Sequence, residues 1–183
     1  RLDEAARAYH ENGQCIFCKL LTREKRSDQR IVKKGRYFTA FVPFAAPSPY
    51  CLWLFPNRHH HSYSQLNDEE LEDLAELLRD VLRRLYFGLS DPPYNLVLRS
   101  AHPNSLSSAL FHFYITVVPR LGRTAGFELG TGMFINPSLP EKDAEYLRTL
   151  TLPAEIQEQR LIAFNKGDPG DPLIAVIDER GHS

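Results

Sequence analysis

Apolar positions along this chain recur at two periods, and the changes of period mark its elements. In the stretch LNDEELEDLAELLRDVLRRLYFGL, Leu71, Leu74, Leu78, Val81, Leu82 and Leu85 fall three or four apart. That spacing predicts one long amphipathic helix over 66–89. Asn67 is placed to cap its start, acids crowd the first turn and arginines the last, all in keeping with the helix dipole. Elsewhere the period is two. Strands are expected around Ile31–Val32, in YFTAFVPF, in YCLWLF after the turn AAPSP, in YNLVLRS after SDPP, and in LFHFYITVVP. In the last of these, Phe111, Phe113, Ile115 and Val117 should share one face, and His112, Tyr114 and Thr116 the other.

The flanks are less regular. RLDEAARAYHENG predicts a short helix with Leu2, Ala5, Ala6 and Tyr9 on one side and Gly13 as its stop. TREKRSDQR after it has the composition of a charged loop. PEKDAEYLRTL predicts a helix with Pro140 near its start. Beyond Thr151 the pattern allows a helix around EIQEQRLIAF, a loop NKGDPGDP and an apolar PLIAVID. Three strands, a helix and two more strands predict an antiparallel sheet with helices on one side, an α+β domain.

Composition narrows the function classes. The 183 residues suit one domain with a real core. A net charge of −1 leaves no electrostatic footprint for nucleic acid. There is no membrane-length apolar run and no signal-peptide pattern. Three cysteines, Cys15, Cys18 and Cys51, point to a reducing compartment and to a metal or redox role for the C-x-x-C pair. The chain starts at Arg1 rather than methionine, which raises the expectation of a preceding domain.

Cys15 and Cys18 have the spacing by which two thiolates approach one zinc ion. A redox pair would need a helix N-terminus in a βαβ setting, and no clear strand precedes Cys15. Two more ligands are required, with candidates in His112 and in the run PNRHHHSYSQL. The alternative is a buried thiol pair with solvated loop histidines. Cys51 lies in an apolar strand and is expected in the core. His10, His102 and His182 have no evident partners and are assigned to the surface.

Several motifs in order carry a resemblance: CIFC, AFVPFAAPSPYCLWLFPNRH, DPPYNLVL, LFHFYITVVPRL and AGFELGTGMFINPSLPE. Together they resemble the second half of the galactose-1-phosphate uridylyltransferase-like family, of the histidine-triad superfamily. Nucleotidyltransferases acting on ADP-sugars are similar too. The resemblance covers about residues 14–150. It implies a histidine-triad-like domain over 14–150, a helical lead-in over 1–13 from a missing upstream domain, and an extension of unknown role over 151–183.

In that family two such domains share a polypeptide. The first holds a histidine-x-histidine-x-glutamine whose second histidine attacks the α-phosphorus of a nucleoside diphosphate sugar. The second is usually silent and can hold a structural metal. The resemblance places that zinc on Cys15, Cys18, His59 and His112. His61 is the rival to His59, since residues two apart in an extended segment share a face. Tyr114 stands where a catalytic domain places its nucleophile. A phenol with a pKa near 10 is almost wholly protonated at neutral pH, so this strand is expected to do no chemistry. HSYSQ at 61–65 mimics the reactive motif but precedes a helix and is taken as coincidence.

The segment GFELGTGMFIN has glycines that let backbone approach a ligand. By resemblance, Gly126, Phe127, Glu128, Gly130, Thr131 and Gly132 help bind the sugar and phosphate of the substrate. The implied whole is a cytoplasmic, homodimeric nucleotidyltransferase acting on nucleotide sugars and hexose 1-phosphates, with catalysis in the absent half. The alternative is a free-standing, non-catalytic zinc module for nucleotide binding or dimerisation. A nucleotide hydrolase is disfavoured by Tyr114.

Overall fold

The computed structural model of the chain describes Tyr9 and residues 13–101, 110–122 and 126–153. Residues 1–150 form one unit and 151–183 a second. The patterns expected beyond Pro153, most of the first helix, and His10, His102 and His182 lie outside the described residues. Gly13 has φ +65°, and its N–H donates to the Tyr9 carbonyl at 2.7 Å. A left-handed helix stop of this kind is what glycine allows.

The elements in order are α1 (Ile16–Ser27), β1 (Ile31–Lys34), β2 (Phe38–Phe41), β3 (Leu52–Pro56), α2 (Asp68–Leu89), β4 (Tyr94–Arg99), β5 (Tyr114–Pro119), α3 (Gly126–Thr131) and α4 (Pro140–Thr149). The five strands make one sheet in the order β1-β2-β3-β5-β4, with every neighbouring pair antiparallel. This is the α+β architecture that the strand order predicted.

Alternation gives the sheet two apolar faces. Phe38, Ala40, Leu52, Leu54, Ile115 and Val117 meet Leu77, Val81 and Leu85 of α2 and Ala144 and Leu147 of α4. Each large aliphatic buried there contributes about 1.5–3 kcal/mol. Phe41, Phe55 and Tyr114 turn the other way, into an aromatic cluster joined by Phe17, Leu20 and Leu21 of α1. Helices on one face, as expected, thus describes α2 and α4, and α1 adds its apolar side to the other.

Three local expectations change. The charged stretch 22–30 is not all loop, because α1 runs to Ser27. Its inward polar residue, Glu24, accepts two bonds from Arg30, at 3.0 and 2.9 Å, so burial leaves no charge unpaired. In α2 the buried line is Leu77, Val81 and Leu85, whereas Leu71 is exposed. The inward position of the first turn belongs to Glu70, which closes a capping box with Asn67. The arginines stop short of the last turn, since the helix continues to Leu89.

The third change concerns His112, which precedes β5 instead of lying within it. Phe111 accordingly leaves the face of Phe113 and packs with Tyr114. Residues 110–113 lie before the ladder, in which β5 pairs with β3 as far as Leu54–Ile115 and with β4 as far as Arg99–Tyr114, and Phe113 N–H instead donates to the His60 carbonyl at 2.6 Å.

Candidate metal centre

Cys15 is the N-cap residue of α1 and Cys18 lies in its first turn, so the helix start carries both thiols. His59 and His112 arrive from different places. β3 and β5 are antiparallel neighbours with Leu54 opposite Ile115. The residues after β3 and those before β5 therefore meet at one end of the sheet.

There the four side chains converge. Cys18 Sγ lies 3.2 Å from His59 Nδ1 and 3.3 Å from His112 Nδ1. One donor atom from each of Cys15, Cys18, His59 and His112 falls within 4.8 Å of all the others. A tetrahedral zinc site with ordinary Zn–S and Zn–N bonds has edges of about 3.3–3.8 Å, so this donor set fits such an ion. Cys15 and His112 are buried, and His59 is exposed. The hydrogen bond from Cys18 holds the Cys15 thiol far below the usual range; burial opposes this, and His112 and His59 reinforce it. Cys18 is pushed up by the same bond, by burial and by the charge on Cys15. One thiolate beside a proton-bearing partner is the arrangement a cation would complete.

His61 is not in the group. Its backbone N–H donates to Gln65 Oε1 at 2.9 Å, and its carbonyl accepts from Ala101. His60 is buried against Glu70, at 3.0 Å. The three adjacent histidines thus have three surroundings, and the His60–Glu70 pair goes beyond the expectations drawn from sequence. Its sequence signal is Glu70 three residues after Asn67, the spacing of a capping box. Residues 63–65 form a short 3-10 helix, so the HSYSQ run does not form a catalytic strand. Cys51 is fully buried in the core, and burial pushes its thiol up to about 12.

Tyr114 is buried in the aromatic cluster, stacked on Phe55 with centroids 4.7 Å apart. The remaining candidates lie apart from the cysteines and histidines. Gly126 to Thr131 form the exposed helix α3, and Gly132 takes φ +69°. A side chain at Gly126, Gly130 or Gly132 would meet nothing within 4 Å, so no close approach inside the described chain explains these glycines. Phe127 is half exposed, Glu128 accepts from the Ile135 N–H at 3.2 Å, and the Thr131 hydroxyl donates to the Phe127 carbonyl.

Comparison with known proteins shows the family of this chain. The family model for the galactose-1-phosphate uridyl transferase C-terminal domain matches residues 2–159. ADP-glucose phosphorylase of Arabidopsis thaliana is 33% identical over 154 residues, covering 83% of this chain and 42% of the relative. Its structure with bound ADP-glucose superposes with a TM-score of 0.74, covering 83% of this chain and 48% of that one. Galactose-1-phosphate uridylyltransferase of Thermotoga maritima is 34% identical over 149 residues, covering 76% of this chain and 46% of the relative. A Zn-bound histidine triad family protein from Mycobacterium smegmatis, 18% identical with a TM-score of 0.53 and covering 74% of this chain and 91% of that one, shares the fold. The chain spans less than half the length of the two curated relatives. It belongs to the galactose-1-phosphate uridylyltransferase family and corresponds to that family's C-terminal domain.

Proposed function

We propose that this chain is the metal-binding, substrate-assisting half of a nucleotidyltransferase that acts on nucleoside diphosphate sugars and hexose 1-phosphates. The nucleotidyl-histidine forms in an N-terminal half, and the group then passes to the sugar phosphate. The observation that carries this reading is the split fate of two residues. His112 joins a Cys2His2 cluster, and Tyr114, where the nucleophile would stand, is stacked on Phe55 in the core. Zinc bound by Cys15, Cys18, His59 and His112 supplies rigidity here. Four protein ligands leave no open position for water.

The exposed segment with Gly126, Phe127, Glu128, Gly130, Thr131 and Gly132 contacts the sugar and phosphate part of the substrate. The enzyme works as a homodimer in the cytoplasm, a compartment that keeps the Cys15 and Cys18 thiols reduced. No helix among the described residues is long and apolar enough to cross a membrane.

The test is intact-mass spectrometry of the chain after incubation with UDP-glucose or ADP-glucose, alone and mixed with a family N-terminal half. The expected result is no adduct on this chain in either case. A nucleotidyl mass increment on any of its seven histidines overturns the assignment.

A further inference from the structure

Cys15 and His112 are buried, whereas His59 is exposed, so the cluster faces solvent from one side. An opening of about 750 Å³ lies there, over Cys15, Cys18 and His59. Its volume suits a small molecule, not a bare ion. Lys19, Arg23 and Arg26 line it, and no carboxylate is among its described lining residues. All three cations are exposed, four and three residues apart along α1. Like charges at this spacing weaken a helix, a penalty that a bound anion removes.

The neighbouring charges do not offset them. Glu24 of α1 is paired with Arg30, and Asp28 at its end with Lys34. Lys25, the remaining cation of α1, bonds Asn57 Oδ1 at 2.6 Å, two residues before His59, and adds to the positive field. Two thiolates, two neutral imidazoles and a zinc ion would sum to zero charge, leaving the lining cations uncompensated. A hydrated dication approaching this opening is repelled, and an anionic complex is drawn in. Fields of this kind change encounter rates about tenfold or more. His59, the exposed member, is the donor that an incoming group can most readily displace.

We propose that this opening is the exchange port of the metal centre, and that it receives zinc from a small anionic chelate with carboxylate or thiolate donors, held by Lys19, Arg23 and Arg26. Charge-assisted bonds to such donors are what these side chains supply. The proposal rests on the zinc assignment made above. In the transfer the ion passes from one donor set to the other. Any thiol proton leaves to solvent as the ion binds, and no electron moves.

The zinc-loaded full chain is mixed with isotopically enriched zinc, supplied as its anionic nitrilotriacetate complex or its cationic tris(pyridylmethyl)amine complex. Both complexes are zinc-saturated, so the protein stays loaded throughout. Isotope ratios in desalted samples give the exchange rate, and each complex is compared only with itself across variants. A Lys19→Gln/Arg23→Gln/Arg26→Gln variant with native circular dichroism should exchange with the anionic complex about tenfold more slowly. It should be no slower with the cationic one. Added salt should slow the wild type toward the variant with the anionic complex. A variant that keeps the wild-type rate with the anionic complex overturns the proposal, as does one slowed equally with both. Elemental analysis beforehand separates the two assignments: a zinc-free chain overturns the metal centre and this port with it, whereas a loaded chain indifferent to charge overturns the port alone.

Discussion

His112 donates its Nε2–H to the Pro56 carbonyl at 3.1 Å, and that bond fixes which ring nitrogen faces Cys18. A carbonyl oxygen can only accept, so in the neutral ring Nδ1 keeps its lone pair for a cation. Protein purified without added metal should therefore carry near-stoichiometric zinc by elemental analysis. His112→Ala or Cys18→Ser should lose it, and His61→Ala should keep it. Structural zinc contributes about 10–16 kcal/mol, as much as a whole domain's net stability, so chelation should unfold the protein. Full native circular dichroism after verified metal removal would contradict this.

Gly35 and Asp73 form a second coupled pair. Asp73 accepts the backbone N–H groups of Arg36, Tyr37 and Phe38 at 2.8–2.9 Å, tying the β1–β2 turn to α2. A side chain at Gly35 would lie 2.7 Å from both carboxylate oxygens. Gly35→Ala should destabilise by about 1–3 kcal/mol in urea unfolding, and Asp73→Ala by a similar amount. In the Asp73→Ala background Gly35→Ala should lose most of its penalty. Simple additivity in that cycle would show that the clash is not the cause.

The hydrogen bond from Arg30 holds the Glu141 carboxyl below its ordinary value of 4.5, and backbone bonding and the Arg30 charge add to this against burial. A depressed folded-state value means the pair's stabilisation is fully present above the unfolded value of 4.5. It is lost as pH falls through the lower folded value. Glu141 is 37% exposed, so screening keeps the contribution to about 1 kcal/mol or less. Melting curves of Glu141→Gln should lie below wild type at neutral pH and converge with it in acid. A gap that widened on acidification would reverse the sign of the argument.

Tyr114→His should not create a catalyst. The ring it replaces is buried against Phe17, Trp53, Phe55 and Phe111, so an imidazole there lacks both a phosphate cradle and access. The variant should lose about 1–3 kcal/mol of stability and form no adduct with UDP-glucose or ADP-glucose by mass spectrometry. A nucleotidyl increment mapped to the variant's peptide spanning position 114 would refute this.

The long helix and the strand cores are legible in the sequence because each bears one side toward a single core. Leu77, Val81 and Leu85 repeat at a helical period, and Phe38 and Ala40 at a strand period. The second half of α1 is hidden because Glu24, polar and buried, breaks the apolar stripe, and its partner Arg30 lies beyond the helix. The start of β5 differs from expectation because alternation in the sequence continues past the end of the ladder at Tyr114, opposite Arg99, which no single strand can announce. The Cys2His2 set came from motif order rather than from spacing. Residue patterns alone could not choose among three adjacent histidines, whose different surroundings are set by contacts with Cys18, Glu70 and Gln65.

Cys18 is separated from His59 by 41 residues and from His112 by 94. An ion bound there is a cross-link that staples three distant stretches of chain. By the loop-closure estimate, each such closure removes about 4–5 kcal/mol of entropy from the unfolded ensemble. A disulfide does the same but answers to oxidants. This staple would answer to zinc supply and to pH, because protons compete for the same sulfurs and nitrogens. In a cell short of zinc, this end of the sheet would be the last part to close and the first to be seen by proteases.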